Sequence, residues 1–195
     1  MIGLLTAGGE WEELVVVVLA MLSGHPGLAV GNVVGSCLAN LIGSMPLGFF
    51  GPRPLVPDRS ARVSSVVMLV VTLVAAAILA DGYAIGATVV AVDTTLPNKA
   101  ISFIGGRRGQ GRVVTANATG SNIFVLTLVL GLAALTSGFG LTIGPEAVGV
   151  DLTLLVGASL LVILLFRRPF LHRGTGAVLL ALYVAYLAYA LGRGG

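Results

Sequence analysis

The chain of 195 residues contains two stretches that repeat each other across a constant shift of 85 positions. Residues 32–36 read Asn-Val-Val-Gly-Ser, and residues 117–121 read Asn-Ala-Thr-Gly-Ser (117 − 32 = 85). Both stretches place amides, hydroxyls and glycine inside long apolar segments. An internal repeat of polar residues within apolar helices is typical of the ion site of a secondary transporter.

The composition predicts a membrane protein. Hydrophobic residues make up 56% of the chain and charged residues 10%, with a mean hydropathy of +1.03. Soluble domains are about 25% charged, and several apolar runs here reach the roughly 20 residues that a helix needs to cross the bilayer. We therefore expect a single all-α integral membrane domain over residues 1–195. The net charge of +3 lies in short loops, so nucleic-acid binding is not expected.

The apolar runs predict six to seven transmembrane helical segments. Repeat one is expected over about 8–50, repeat two over about 84–137, and the C-terminal helices over about 151–191. The predicted segments lie at about 10–24, 28–50, 63–80, 83–104, 113–137, 151–166 and 175–191.

The arginines predict the orientation of the segments. Loops 51–63, 105–112 and 167–173 hold nearly all of them, and the alternate loops hold none. Positively charged loops stay on the cytoplasmic side, so we place these three loops in the cytoplasm of a prokaryotic cell, with the helices in its plasma membrane. The turn at 24–27 in repeat one then faces outside, whereas its counterpart at 105–112 faces the cytoplasm. Opposite orientations of the two turns predict an inverted-topology repeat.

Pro97 interrupts the fourth predicted segment near the middle of the membrane. Proline removes a backbone donor and clashes with the preceding turn, so we expect a broken or kinked helix there. Lipid tolerates such a break only where protein or a water-filled cavity satisfies the freed carbonyls. Hydroxyl and amide oxygens at this depth are suitable ligands for sodium or calcium. The candidate neutral ligands at the break and on the helices beside it are Thr94, Thr95, Asn98, Ser36, Asn40 and Ser121.

Acidic residues inside apolar segments are further candidates. Glu13 lies beyond the entry of the first helix, where a carboxylate is costly without a partner or a functional role. Asp93 lies between apolar residues and is a candidate ligand for the same reason. Glu10 and Glu12 are interpreted as simple first-turn acids that favour a helix N-terminus. Lys99 is either a residue that extends to the membrane surface or an internal counter-charge.

Helix packing is the alternative explanation for the small and polar residues. Glycine, serine and asparagine at helical spacing also form close helix–helix interfaces in membranes. The sequence contains no nucleotide-binding loop, hydrolase triad or zinc signature, so an enzyme is not expected. No cofactor is expected either, and cations would be transported substrates. The residues that packing alone could explain are Gly31, Gly35, Gly120, Ser36, Ser121, Asn32, Asn40 and Asn117.

The two repeats resemble the α-repeats of the sodium/calcium exchanger (cation/calcium antiporter) superfamily. The family pattern is roughly G-T-S-L-P-E on one helix, followed by G-N-x-x-G-S-N-x-x-N/D on the next. Repeat two reads AVDTTLPN at 91–98 and ANATGSNIF at 116–124, and repeat one reads GGEWEE at 8–13 and GNVVGSCLAN at 31–40. The sequence LYVAY at 182–186 is also similar to the last helix of the family.

The resemblance implies an antiporter that exchanges sodium or protons for calcium or a related cation by alternating access. Its partners would be inorganic cations and the lipid bilayer, and the short chain leaves homo- and hetero-oligomers as alternatives. The family's ligand positions correspond to Glu13, Ser36 and Asn40 in repeat one and to Thr94, Thr95, Asn98 and Ser121 in repeat two.

The sequence departs from the family pattern at several positions. Asn98 replaces a glutamate, Val125 replaces an acidic or amide residue, and residues 9–12 replace Thr-Ser-Leu-Pro. Relative to the family's ten or so helices, we expect the first and two middle ones to be absent. One carboxylate instead of two weakens the attraction for a divalent cation, and Asp93, one helical turn away, is a candidate to compensate. The alternative function is therefore a non-transporting membrane subunit or a degenerate homologue of such an exchanger.

Overall fold

The computed structural model describes residues 10–80, 96–136 and 149–193, and this part of the chain is built from helices. Two long helices each contain a π-helical segment, which we call π1 (Ala39–Ser44) and π2 (Val125–Val129). A single turn Met45–Leu47 and a 3-10 turn Gly48–Phe50 follow π1. The α-helices are α1 (Trp11–Leu22), α2 (Pro26–Leu38), α3 (Arg59–Ala80), α4 (Leu96–Arg107), α5 (Gly111–Phe124), α6 (Leu130–Thr136), α7 (Gly149–Phe166) and α8 (Arg173–Arg193).

The prediction of an all-α membrane protein with six to seven helical segments is confirmed. Seven segments lie in the described part of the chain, if the helices continuous through π1 and π2 are each counted once. Five of them are long and apolar enough to cross a membrane. The other two, α1 and α4, have 12 residues each and rise only about 18 Å, which is less than the ~30 Å hydrocarbon core.

Two predicted boundaries were wrong. Helix α3 begins at Arg59 and not at residue 63, because Asp58 ends the loop by capping the helix: its Oδ1 accepts a hydrogen bond of 2.8 Å from the Ala61 amide. Helix α4 continues to Arg107, beyond the predicted end at residue 104. Pro97 is the second described residue of α4. The residues before Leu96, where the predicted break would begin, lie outside the described part.

The repeat found in the sequence is also present in the backbone. Shifting α1 by 85 positions gives 96–107, the span of α4. The turns that follow α1 and α4 match as well, because Gly24 (φ 73°) and Gly109 (φ 68°) are equivalent (24 + 85 = 109). Both turns close with the same pair of hydrogen bonds, a Schellman ending that requires a left-handed residue. In the first turn these bonds are Gly24 N to Met21 O and His25 N to Ala20 O, and in the second Gly109 N to Gly106 O and Gln110 N to Gly105 O.

The three arginine-bearing loops lie on one face of the molecule, which we call the arginine face. Leu55 and Leu171 exchange backbone hydrogen bonds of 3.0 and 2.9 Å and so join the second-to-third and sixth-to-seventh loops. Arg112 Nε lies 2.9 Å from Asp58 Oδ2 and joins the turn after α4 to the same loop. The turn at Gly24 lies at the opposite end of the helical segment that begins at Pro26. The equivalent turns therefore lie on opposite faces, as an inverted repeat requires.

Helices α3 and α7, each of which follows one of the two predicted repeats, pack against each other. A shift of 85 carries α3 (59–80) onto 144–165, which overlaps α7. The two helices are in contact, and Arg62 Nε donates a hydrogen bond of 3.1 Å to the carbonyl oxygen of Phe166. Helix α8 packs across π1, where the position of a Cβ at Gly43 would lie 2.9 Å from the ring of Tyr183. The close approach of this ring therefore depends on glycine at position 43.

Candidate functional site

The π-helical segments occupy equivalent positions in the two repeats. Segment π1 shifted by 85 gives 124–129, and π2 covers 125–129. Each begins three to five residues after a Gly-Ser pair, at 35–36 and at 120–121. Single π-helical turns inside long helices are found frequently at functional sites. The π-helical segments therefore lie in the same part of each repeat as the polar residues of the sequence pattern.

The two repeats meet at residues that are equivalent to each other. The side-chain amide of Asn122 donates a hydrogen bond of 3.0 Å to the carbonyl oxygen of Cys37, and these positions differ by 85 (122 − 37 = 85). A contact between equivalent positions lies on the axis that relates two repeats. Ser36 and Ser121 each adjoin a residue of this contact, so the two Gly-Ser pairs belong to the central region of the molecule.

Several predicted ligands are buried completely. Glu13, Ser36, Asn40 and Ser121 each have 0% of their surface exposed. The hydroxyl oxygens of Ser36 and Ser121 have no hydrogen-bond partner among the described residues. Asn32, one turn before Ser36, is equally buried, and neither atom of its amide has such a partner. Buried polar atoms without partners are costly, and a cation among these oxygens would offset that cost.

The rest of the predicted ligand set is not described. Asp93, Thr94 and Thr95 lie outside the described residues, as does the side chain of Asn98. Within the described part, no group of three or more His, Cys, Asp and Glu side chains could hold a metal ion.

Lys99 lies against an aromatic ring of the last helix. Its Nζ is 5.9 Å from the ring centroid of Tyr183, within the range of a cation–π interaction, and the side chain is half-buried. Tyr183 is itself 7% exposed. Of the two alternatives for Lys99, this position favours an internal charge over one that extends freely to the membrane surface.

The sequence interpretation did not predict the burial of Glu10. This residue precedes α1, but its side chain makes no cap hydrogen bond and is 0% exposed. The interpretation as a simple first-turn acid does not account for that burial, whereas Glu12 is only half-buried and fits it. The prediction that Glu13 lies beyond the helix entry was wrong, because α1 begins at Trp11 and Glu13 is in its first turn. The signal was present in the spacing, because residues 10, 13, 17 and 20 form one helical stripe that the structure buries completely.

Comparison with known protein families agrees with the repeat described above. A family profile described as "Sodium/calcium exchanger protein" matches residues 1–85 and, separately, residues 80–192. The chain belongs to this family. The two matches together cover nearly the whole chain, one on each half, in agreement with the repeat seen in the sequence and the backbone. The family membership predicted from the α-repeat motifs is confirmed.

Individual members of the family are similar over part of the chain. The inner membrane protein YrbG of Escherichia coli is 36% identical over 121 residues, which is 58% of this chain and 36% of that protein. The sodium/calcium exchanger MaX1 of Methanosarcina acetivorans is 32% identical over 104 residues, 53% of this chain and 29% of that one. The chain spans about a third of the length of the curated relatives that it matches.

Solved structures show the same fold. The sodium-calcium exchanger NCX_Mj soaked with 2.5 mM Na+ and 1 mM Sr2+ matches with a TM-score of 0.82 at 21% identity, over 95% of this chain and 84% of that one. The same exchanger soaked with zero Na+ and Ca2+ matches with a TM-score of 0.81. The fold of these helices is therefore that of a sodium-calcium exchanger.

Proposed function

We propose that the chain is a secondary cation antiporter that exchanges sodium or protons for calcium or a related cation by alternating access. The observation that carries the proposal is the pair of buried hydroxyls, Ser36 and Ser121, at equivalent positions of an exchanger-family repeat. Both oxygens lack a hydrogen-bond partner among the described residues. The names of two relatives, a sodium/calcium exchanger and a putative antiporter, support the same function.

The chemistry of the region suits a transported ion better than a permanently bound one. A transported cation must bind strongly enough to leave water and weakly enough to depart again. Neutral hydroxyl and amide oxygens with few carboxylates provide moderate attraction of this kind. Bound cations would also satisfy the hydroxyls of Ser36 and Ser121, which otherwise carry a desolvation cost.

Exchange in proteoliposomes tests the proposed function. Vesicles that contain the purified protein and a high internal concentration of sodium or protons should take up calcium after dilution into a medium in which the concentration of that ion is low. Dissipation of the gradient with an ionophore should stop the uptake, and protein-free vesicles provide the background. If no gradient drives a flux of calcium, sodium or another cation, the chain is the non-transporting relative.

We further propose that the arginine face is cytoplasmic. Its loops carry the arginines, and positive loops remain on the cytoplasmic side of a prokaryotic plasma membrane. Ser23 and Arg108 are equivalent positions (23 + 85 = 108), both exposed, in the turns that follow α1 and α4. They form a matched pair for testing sidedness, because the two local backbones are the same.

Cysteine labelling should separate the two turns. In intact cells, a membrane-impermeant maleimide should modify the Ser23→Cys variant but not the Arg108→Cys variant, and permeabilised cells should show both. The unaltered protein is the control, since its Cys37 is buried. Labelling of Arg108→Cys from outside would contradict the proposed orientation, and labelling of both variants from one side would contradict the inverted repeat.

A further inference from the structure

Two buried carboxylates lie on one side of the start of helix α1. Glu10 and Glu13 are each 0% exposed and lie on the same buried stripe as Val17 and Ala20. Trp11, on the opposite side of the helix, is 59% exposed. A spacing of three residues places side chains one turn apart on the same side of a helix. Glu10 at the N-cap and Glu13 in the first turn therefore lie about one turn apart on the buried side of α1.

Helix capping does not explain the position of Glu10. Its side chain makes no cap hydrogen bond to α1, although it occupies the cap position. Burying one ionised carboxylate costs several kcal/mol unless the surroundings compensate for it, and burying two on one face adds their mutual repulsion. The N-terminus of α1 offsets part of this cost, and a cation bound between the two carboxylates would offset more of it.

The neighbouring helix supplies polar atoms at the same depth. Helices α1 and α2 form a tight hairpin around Gly24, so residues at similar distances from this turn lie side by side. Glu13 lies 11 positions before Gly24 and Ser36 lies 12 positions after it (24 − 13 = 11, 36 − 24 = 12). Ser36 is fully buried and its hydroxyl has no hydrogen-bond partner among the described residues. Both carboxylates also lie within electrostatic reach of the adjacent Cys37.

The equivalent positions of repeat two carry no charge. The positions equivalent to Glu10 and Glu13 are Thr95 and Asn98 (10 + 85 = 95, 13 + 85 = 98), and both are neutral. The family pattern carries one carboxylate in each repeat, whereas this chain carries the buried pair Glu10 and Glu13 in repeat one and no carboxylate at the two equivalent positions of repeat two. The number of carboxylates is the same in the two arrangements.

We propose that Glu10 is a second anionic ligand, and that Glu10 and Glu13 together bind the divalent cation, with Glu10 replacing the carboxylate missing at position 98. Because Glu10 can be a ligand only in a protein that binds cations, this proposal rests on the proposed function. A divalent ion is attracted to a carboxylate about twice as strongly as a monovalent ion at the same distance. The loss of Glu10 should therefore impair calcium binding more than sodium binding.

Titration of the purified protein with calcium and with sodium tests the proposal. The Glu10→Gln variant should bind calcium about tenfold more weakly or worse, with a smaller loss for sodium. Glu12→Gln, two residues away on the half-buried side of α1, should bind both ions as the unaltered protein does. Adding Asn98→Glu to Glu10→Gln should recover calcium affinity, because it returns one carboxylate to repeat two. A purely structural role for Glu10 predicts no such recovery.

The outcomes distinguish this proposal from the proposed function. If Glu10→Gln folds and binds calcium normally while Glu13→Gln does not bind it, the role of Glu10 is refuted and the exchanger function stands. The same conclusion follows if Asp93→Asn weakens calcium binding and Glu10→Gln does not, because the second charge then lies at Asp93. If Glu10→Gln does not fold, failure of the double variant with Asn98→Glu to recover folding and calcium binding refutes the role of Glu10. Absence of cation binding by the unaltered protein refutes both proposals.

Discussion

Replacement of Glu13 by glutamine is expected to abolish cation binding. Glu13 is completely buried on the inner face of α1, at the depth of Ser36. Glutamine keeps the size of the side chain and removes its charge. At a separation of ~4 Å and an effective dielectric constant of about 20, the lost attraction is about 4 kcal/mol for each unit of cation charge. This corresponds to at least about a thousandfold weaker binding.

Calorimetric titration of the purified variant measures this loss, and Glu12→Gln on the same helix is the matched control. Binding by the unaltered protein should also weaken as the medium is acidified, because protons compete with the cation for the same carboxylate oxygens. Glu13→Gln should remove that pH dependence together with the binding. If Glu13→Gln binds and transports cations normally, the polar residues of the repeats hold helices together and do not hold an ion.

Much of the fold could be predicted because the membrane imposes simple rules on sequence. Long apolar runs must be helices, and the arginine pattern together with the shift of 85 predicted the inverted repeat. The turns at Gly24 and Gly109 match to the level of individual hydrogen bonds. Local sequence determines these features, since a left-handed glycine that ends a helix depends on its own turn and not on distant contacts.

The features that the sequence did not reveal depend on tertiary contacts. The π-helical segments were not predicted, although each begins three or four residues after the serine of a Gly-Ser pair. The residues that follow them differ: Pro46 lies just after π1, and its equivalent after π2 is Gly131. Contacts between distant residues accompany π1, namely Asn122 with Cys37 and Tyr183 with Gly43. The burial of Glu10 was likewise decided by which face of α1 packs inward, although its helical spacing from Val17 could have indicated that face. The set of ion ligands stays a prediction for the residues that the structure does not describe.

Substitution of Gly106 is expected to cause the largest loss of stability on the arginine face. A Cβ at Gly106 would overlap the carbonyl oxygen of Gly48, and a Cβ at Gly51 would overlap that of Gly106. The overlapping groups are backbone atoms, which cannot rotate away as a flexible side chain can. Gly106→Ala should therefore push α4 away from the 3-10 turn that begins at Gly48, at a cost of about 2 kcal/mol or more. Thermal unfolding in detergent should show a clearly lowered midpoint.

The close backbone contact at these glycines can form on the arginine face but not on the opposite face. The positions equivalent to Gly48, Gly51 and Gly106 are Ala133, Thr136 and Met21, all of which carry side chains, so the opposite face cannot form the same backbone contact. Gly131→Ala is the control, because it lies in α6 with no atom within 4 Å of its added Cβ. Alanine favours a helix by about 1 kcal/mol over glycine, so Gly131→Ala should leave the midpoint unchanged or raise it. Equal unfolding midpoints for Gly106→Ala and the unaltered protein would show that the backbones around Gly48 and Gly106 can separate without cost. The glycine contacts would then not stabilise helix packing at the arginine face.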